Sequence, residues 1–216
     1  MSQARVSNAI LLFVKFPQPG KVKTRLAESV GAEQAAAIYR TLVATVLRRL
    51  PRSERLIVAF EPPGRAAEVA DWIAPLCAER AVEFIGQTDG DLGVRLAAAF
   101  AHAFSSGYSR VAAIGSDCVE ISAADLAETW AGLELHDCVL GPAADGGYYL
   151  IALKKPEPSL FSGIPWSTPT VLSETLARLR TAGFSSHHLR LLQDVDTVAD
   201  WHRVRAQLAP APWPRK

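Results

Sequence analysis

The chain has 216 residues, with 23 Lys+Arg against 22 Asp+Glu and a formal net charge of +1. Apolar residues make up 49% and charged residues 21%, a globular composition that excludes a disordered chain. So even a charge balance gives no general attraction to nucleic acid or to an anionic membrane, and any anion binding has to come from a local cluster.

The first apolar run, residues 9–14, is stopped by Lys15. It falls far short of the roughly 20 residues of a membrane span, and it feeds into basic sequence rather than a cleavage site, so a cytoplasmic protein without a span is expected. It reads instead as a strand buried on both faces, as do 55–60, 82–86, 111–115, 137–141, 148–153 and 189–193. Helices are predicted over 32–50, 92–104, 123–133, 170–179 and 198–208. In the first of these, Ala35, Ile38, Leu42, Val46 and Leu50 recur at spacings of three and four, and Pro51 ends the pattern. Ser122 is placed to cap the helix at 123, with Asp125 completing the arrangement. Strands alternating with helices predict an α/β fold with a mostly parallel mixed sheet in which a later strand runs antiparallel. The simplest organisation is one domain over 1–209 followed by a frayed tail, 210–216. Cys77, Cys118 and Cys138 lack CxxC spacing and read as packing residues rather than a disulfide or zinc framework.

Three segments carry chemistry. No acidic residue precedes Glu28, and Lys15, Lys21, Lys23 and Arg25 surround a Pro19-Gly20 turn after the first strand. Ligands of open α/β sheets bind at the carboxyl ends of strands, and a loop entering a helix there offers free N–H groups to a phosphate. Lys21 and Arg25, four apart, would share one face of a helix starting here. The segment is neither a P-loop nor a GxGxxG turn. Second, Gly115-Ser116-Asp117 sets a carboxylate just past a buried strand, and Asp194 and Asp196 flank Val195 in a similar position. Such oxygens suit Mg²⁺ or Mn²⁺, which take their remaining ligands from water and phosphates. Third, Asp145-Gly146-Gly147-Tyr148 permits a close approach of backbone to ligand. Asp145 is a candidate to orient or deprotonate an acceptor hydroxyl, or else holds the turn. Tyr148 or Trp166 could stack on a sugar or base.

Six segments in order, FVKFPQPGKVKTRL, GDLGVRL, GSDC, GPAADGGYYLIAL, WST and DVDT, spread over residues 8–202, resemble the GT-A-fold proteins known as arsenosugar-biosynthesis-type glycosyltransferases. Relatives of that family include the guanylyltransferases of the molybdenum and deazaflavin cofactor pathways. The resemblance implies a three-layer α/β/α nucleotide-diphospho-sugar transferase fold with the nucleotide held by the N-terminal half. It matches Asp117 to the metal-binding aspartate and Lys15, Lys21, Lys23 and Arg25 to the phosphate loop. Val119, Ala152, Val198 and Ala199 depart from the family pattern.

The expected activity is metal-dependent transfer from a nucleotide donor, with Mg²⁺ or Mn²⁺ on Asp117 and on Asp194 or Asp196. Lys15, Gly20, Lys21, Lys23, Arg25, Gly115 and Ser116 would hold the nucleotide, Lys21 and Arg25 would neutralise the leaving phosphate, and Gly146, Gly147, Tyr148 and Trp166 would face the substrate. The partners are a nucleotide-sugar or nucleoside triphosphate and a small-molecule acceptor, not nucleic acid, and a homodimer stays open. Glycosyl and nucleotidyl transfer use the same parts, and a non-catalytic nucleotide-binding protein is the rival. Serine-hydrolase chemistry lacks a GxSxG, and His187-His188 reads as surface loop.

Overall fold

The computed structural model describes residues 7–78 and 80–208. Six of the seven apolar runs become strands; those inside the sheet have a helix layer to cover both faces, whereas the 82–86 run lies at the sheet edge and is only partly buried. In chain order the elements are β1 (Asn8–Lys15), α1 (Thr24–Val30), α2 (Ala32–Arg49), β2 (Arg55–Glu61), α3 (Ala66–Ile73), β3 (Val82–Gly86), α4 (Leu92–Ser105) and β4 (Arg110–Ile114). They continue with α5 (Ala123–Leu135), β5 (Cys138–Pro142), β6 (Tyr148–Leu153), α6 (Val171–Thr181), β7 (Ser186–His188) and α7 (Val198–Val204). Among the described residues the strands form one seven-stranded sheet ordered β3-β2-β1-β4-β6-β5-β7. The first four in that order are parallel; β6 runs antiparallel to β4 and β5, and β7 is parallel to β5.

Alternate residues of β1 divide the core. Ile10, Leu12 and Val14 pack with α2, α3, α5 and α7, whereas Ala9 and Leu11 pack with α4 and α6. The fold is therefore three layers, α/β/α, as expected. Phe100 and Phe161 stack at 5.5 Å on the second face. There, an added Cβ on Gly93 would meet the Phe161 carbonyl at 2.2 Å, so α4 can approach the 158–161 turn only with glycine at that position.

Local chemistry sets the helix ends. Ser122 and Asp125 form a reciprocal capping box on α5, and Thr197 and Asp200 form one on α7. The three cysteines are free and buried. Two expectations need correction. The last strand is Ser186–His188 rather than 189–193: His187 and His188 pair with Val139 and Leu140, so they are not surface loop. The 189–193 run instead buries Leu189 and Leu192 against the core and leaves Leu191 64% exposed. α7 ends at Val204 and passes into a 3-10 turn, short of the predicted 208. The tail over 210–216 lies outside the described residues. No described helix is long and apolar enough to cross a membrane.

Candidate active site

The parallel strands deliver their carboxyl ends to one side of the sheet. There Lys15, Lys21, Lys23, Arg25, Gly115, Ser116, Asp117, Asp145, Gly147, Tyr148, Trp166, Asp194 and Asp196 line one cavity of about 660 Å³. That volume suits a ligand the size of a nucleotide.

The basic loop is shaped before it is charged. Pro19 and Gly20 form a tight turn closed by Lys21 N–H donating to the Gln18 carbonyl at 3.0 Å, with Gly20 at φ 75°. Gly20 thus shapes the loop from behind the cavity wall. Lys23 adopts a left-handed backbone, φ 47° and ψ 49°, so α1 begins only at Thr24. Lys21 and Arg25 therefore do not share a helix face, contrary to expectation, although both reach the cavity.

The late aspartates arrive by backbone docking. Leu192 N–H donates to the Pro142 carbonyl, Ala144 N–H to the Leu192 carbonyl, and Val195 N–H to the Asp117 carbonyl at 3.2 Å. These bonds lay the 192–195 segment across the ends of β4 and β5 and bring Asp117, Asp194 and Asp196 together. The Asp196 N–H is further held by Asp200.

Lys23 stands between them. Its Nζ donates to Asp117 Oδ2 and to Asp196 Oδ1, each at 2.7 Å, and its side chain is 6% exposed. Burial alone would weaken the ammonium as a base-bound proton, but Asp117 and then Asp196 outweigh it and hold the Lys23 pKa above the ordinary lysine range. Arg25, 70% exposed, lies 3.7 Å from Asp196. Asp194 is raised above the ordinary carboxylate range, first by burial and next by Asp117, with Lys23 opposing.

Asp194 Oδ1 is buried without a hydrogen-bond partner among the described residues. An orphaned acceptor next to Asp117 is the feature a divalent cation would satisfy. No set of three His, Cys, Asp or Glu side chains among the described residues forms a closed metal cluster. Mg²⁺ and Mn²⁺ need no such cage when a diphosphate supplies further oxygens, so the donors present fit one.

Asp145 Oδ1 accepts from Gly147 N–H at 2.9 Å, which fixes the turn while the side chain still borders the cavity. Gly146, at φ 91°, sits behind that wall: a Cβ there would meet the Pro169 carbonyl at 2.1 Å, and its own carbonyl accepts from Leu172 N–H. Tyr148 and Trp166 meet edge to face at 6.4 Å, each bracing the other.

Sequence reasoning assigned no role to several wall residues. Tyr39, on α2, accepts from Lys15 N–H and hydrogen-bonds the Ser116 hydroxyl, both at 2.9 Å, tying the ends of β1 and β4 together. Burial pushes its phenol up to about 12. Arg95 pairs with Glu61 at 2.6 Å, and the Gln87 amide donates to the Ala59 carbonyl at the end of β2. Only the GDLGVRL segment hinted at these, since the others come from helix interiors and strand ends whose partners are distant in sequence.

A mostly parallel sheet between two helix layers is the fold of nucleotide-diphospho-sugar transferases. A protein of Desulfovibrio desulfuricans G20, provisionally described as a nucleotide-diphospho-sugar transferase, superposes with a TM-score of 0.84 at 36% identity, covering 97% of this chain and 90% of that one. More distant structures share the fold. CMP:2-keto-3-deoxy-manno-octonic acid synthetase complexed with CTP has a TM-score of 0.57 at 15% identity over 93% of this chain and 98% of that one. Rv0371c from Mycobacterium tuberculosis H37Rv, in complex with manganese, has 0.54 at 15% over 94% and 100%. Among curated proteins none matches the chain in sequence. Residues 44–168 match the family described as "Uncharacterized protein conserved in bacteria (DUF2064)", and the chain belongs to that family.

Proposed function

We propose that this chain is a metal-dependent glycosyltransferase of the arsenosugar-biosynthesis type, using a nucleotide-diphospho-sugar and working as a single domain. The observation that carries the proposal is the meeting of Asp117, Asp194 and Asp196 with Lys21 and Arg25 around one cavity at the strand ends. The 36% identical relative described as a nucleotide-diphospho-sugar transferase favours glycosyl over nucleotidyl transfer. Three free, buried thiols suit a reducing cytoplasm.

In this reading Asp117, together with Asp194 or Asp196, would hold Mg²⁺ or Mn²⁺. The bound ion would draw charge from the diphosphate oxygens and make the nucleoside diphosphate a better leaving group. Lys21 and Arg25, both solvent-facing, meet the charge that grows on the departing phosphate. Lys15, Gly115 and Ser116 border the nucleotide, with Tyr39 keeping the strands that carry them in register. Asp145 orients the acceptor hydroxyl, and Gly147, Tyr148 and Trp166 wall the acceptor side.

The test is incubation of the full chain with UDP-, GDP- and dTDP-sugars and, in parallel, nucleoside triphosphates, with Mn²⁺ present. Release of a nucleoside diphosphate is expected, and Asp117→Asn should lower it at least roughly 100-fold. Pyrophosphate release from a triphosphate would instead assign nucleotidyl transfer. Tight nucleotide binding without either product would assign a non-catalytic binder.

A further inference from the structure

Lys21, Lys23 and Arg25 lie within five residues of one another, yet the structure treats them differently. Lys21 and Arg25 face solvent, while the left-handed backbone at Lys23 turns its side chain inward until only 6% is exposed. A left-handed conformation is unfavourable for a residue with a Cβ, so surrounding contacts must enforce it. Lys23 is held there by two 2.7 Å bonds from its ammonium to Asp117 and Asp196 and by its carbonyl, which accepts from Ala27 N–H at 2.9 Å.

The arrangement differs from an ordinary structural ion pair elsewhere in the chain. Asp125 receives Arg190 on both oxygens and Ser122 on one, so its carboxylate is fully committed. In the Lys23 cluster, Asp194 Oδ1 is buried without a partner, and all four side chains border the cavity. The cluster is charge-compensated in part and still open to a ligand.

We propose that Lys23 is a tethered counter-ion that competes with a divalent metal for Asp117 and Asp196 and makes metal binding conditional on a nucleoside diphosphate. The inference rests on the proposed function above and adds the order in which that site fills. The ammonium neutralises Asp117 and Asp196 and competes with a metal for their oxygens. An incoming diphosphate gives the ammonium a second anionic partner and brings extra oxygens for the metal. The carboxylates are then released to the divalent ion. Metal and diphosphate therefore bind cooperatively, and by linkage each tightens the other by the same factor. Lys23 is a positioning residue in this account, distinct from the exposed cations that meet the leaving phosphate.

The experiment measures Mn²⁺ binding to the full chain by the electron paramagnetic resonance of free Mn²⁺, alone and with saturating UDP or GDP. The variants are Lys23→Met, Lys23→Gln and, as a charge control, Lys21→Met. In the wild type the diphosphate should tighten Mn²⁺ at least about 10-fold. Lys23→Met should bind Mn²⁺ alone at least about 10-fold tighter than wild type, and the diphosphate should add less. Lys23→Gln keeps a hydrogen-bond donor for the carboxylates but no charge, and should behave like Lys23→Met.

Equal tightening by Lys21→Met would reduce the effect to charge counting and overturn the proposal. So would an unchanged Mn²⁺ affinity in both Lys23 variants. If either variant melts early, recovery of its melting temperature on adding Mn²⁺ supports the counter-ion role, and failure to recover refutes it. Absence of any diphosphate binding would sink the proposed function, while the Mn²⁺-alone comparison would still decide whether Lys23 competes with the metal.

Discussion

Tyr39→Phe isolates one hydroxyl that joins the two strands flanking the cavity. The ring can stay in place, packed 6.3 Å from Trp72 in the core. What disappears is an acceptor for Lys15 N–H and a partner for the Ser116 hydroxyl, each at 2.9 Å. Ser116 is 6% exposed, so water cannot readily replace the lost bond. Two net hydrogen bonds, with their partners left in a poorly hydrated place, are worth about 2 kcal/mol. For a chain of this size that corresponds to a melting temperature lower by roughly 4–8 °C. Differential scanning calorimetry reads the stability, and UDP-sugar or GDP-sugar titration reads the site, which should weaken because β1 and β4 are no longer tied. A melting temperature within about 1 °C of wild type would refute the reasoning, since it would mean the hydroxyl is solvated or its partners are satisfied otherwise.

Gly146→Ala should destabilise by at least about 2 kcal/mol, because it combines an unfavourable φ of 91° with a Pro169 carbonyl 2.1 Å from the new Cβ. Gly31→Ala, at φ 84° with nothing within 4 Å, carries backbone strain alone and should lose less than Gly146→Ala, so urea unfolding of the pair separates steric contact from backbone strain. Asp125 has its carboxyl held below the ordinary range: burial would raise it, but Arg190 and Ser122 outweigh burial. Its folded pKa being depressed, the unfolded chain takes up the proton first, so this stabilisation is complete above the ordinary aspartate pKa and fades as pH falls through the folded value. Asp125→Asn should therefore flatten the acid side of the plot of stability against pH, as measured by thermal melts; an unchanged acid limb would count against the pairing.

The fold was legible because its signals are local. Runs such as 9–14 and 148–153 are apolar on both faces, and a strand covered by helices on each side is the arrangement that buries both. Helix α2 announced itself by spacing, and α5 by Ser122 and Asp125 within one turn. The failures occur where tertiary contacts override pattern. Residues 189–193 look like a strand, yet the pairing edge of β5 is taken by Ser186–His188, and the leucines that follow are used for packing instead. Helix α1 was obscured because its start is set by a left-handed lysine, which no propensity favours.

The candidate site divides along the same line. Residue type marked which groups are candidates to bind phosphate or metal, because the carboxyl ends of parallel strands are where ligands of open α/β sheets bind. It could not tell which charges would neutralise one another, because that depends on distances between segments almost a whole chain apart. Lys23 and Asp196 are separated by 173 positions, yet their charged atoms lie 2.7 Å apart. A basic cluster in sequence is thus not a uniformly basic surface in the fold: of three neighbouring cations in the loop, the one held by the aspartates contributes least to the field at the surface. It is also the cation whose removal the proposed metal site should feel most, because its ammonium sits on two of the candidate carboxylates.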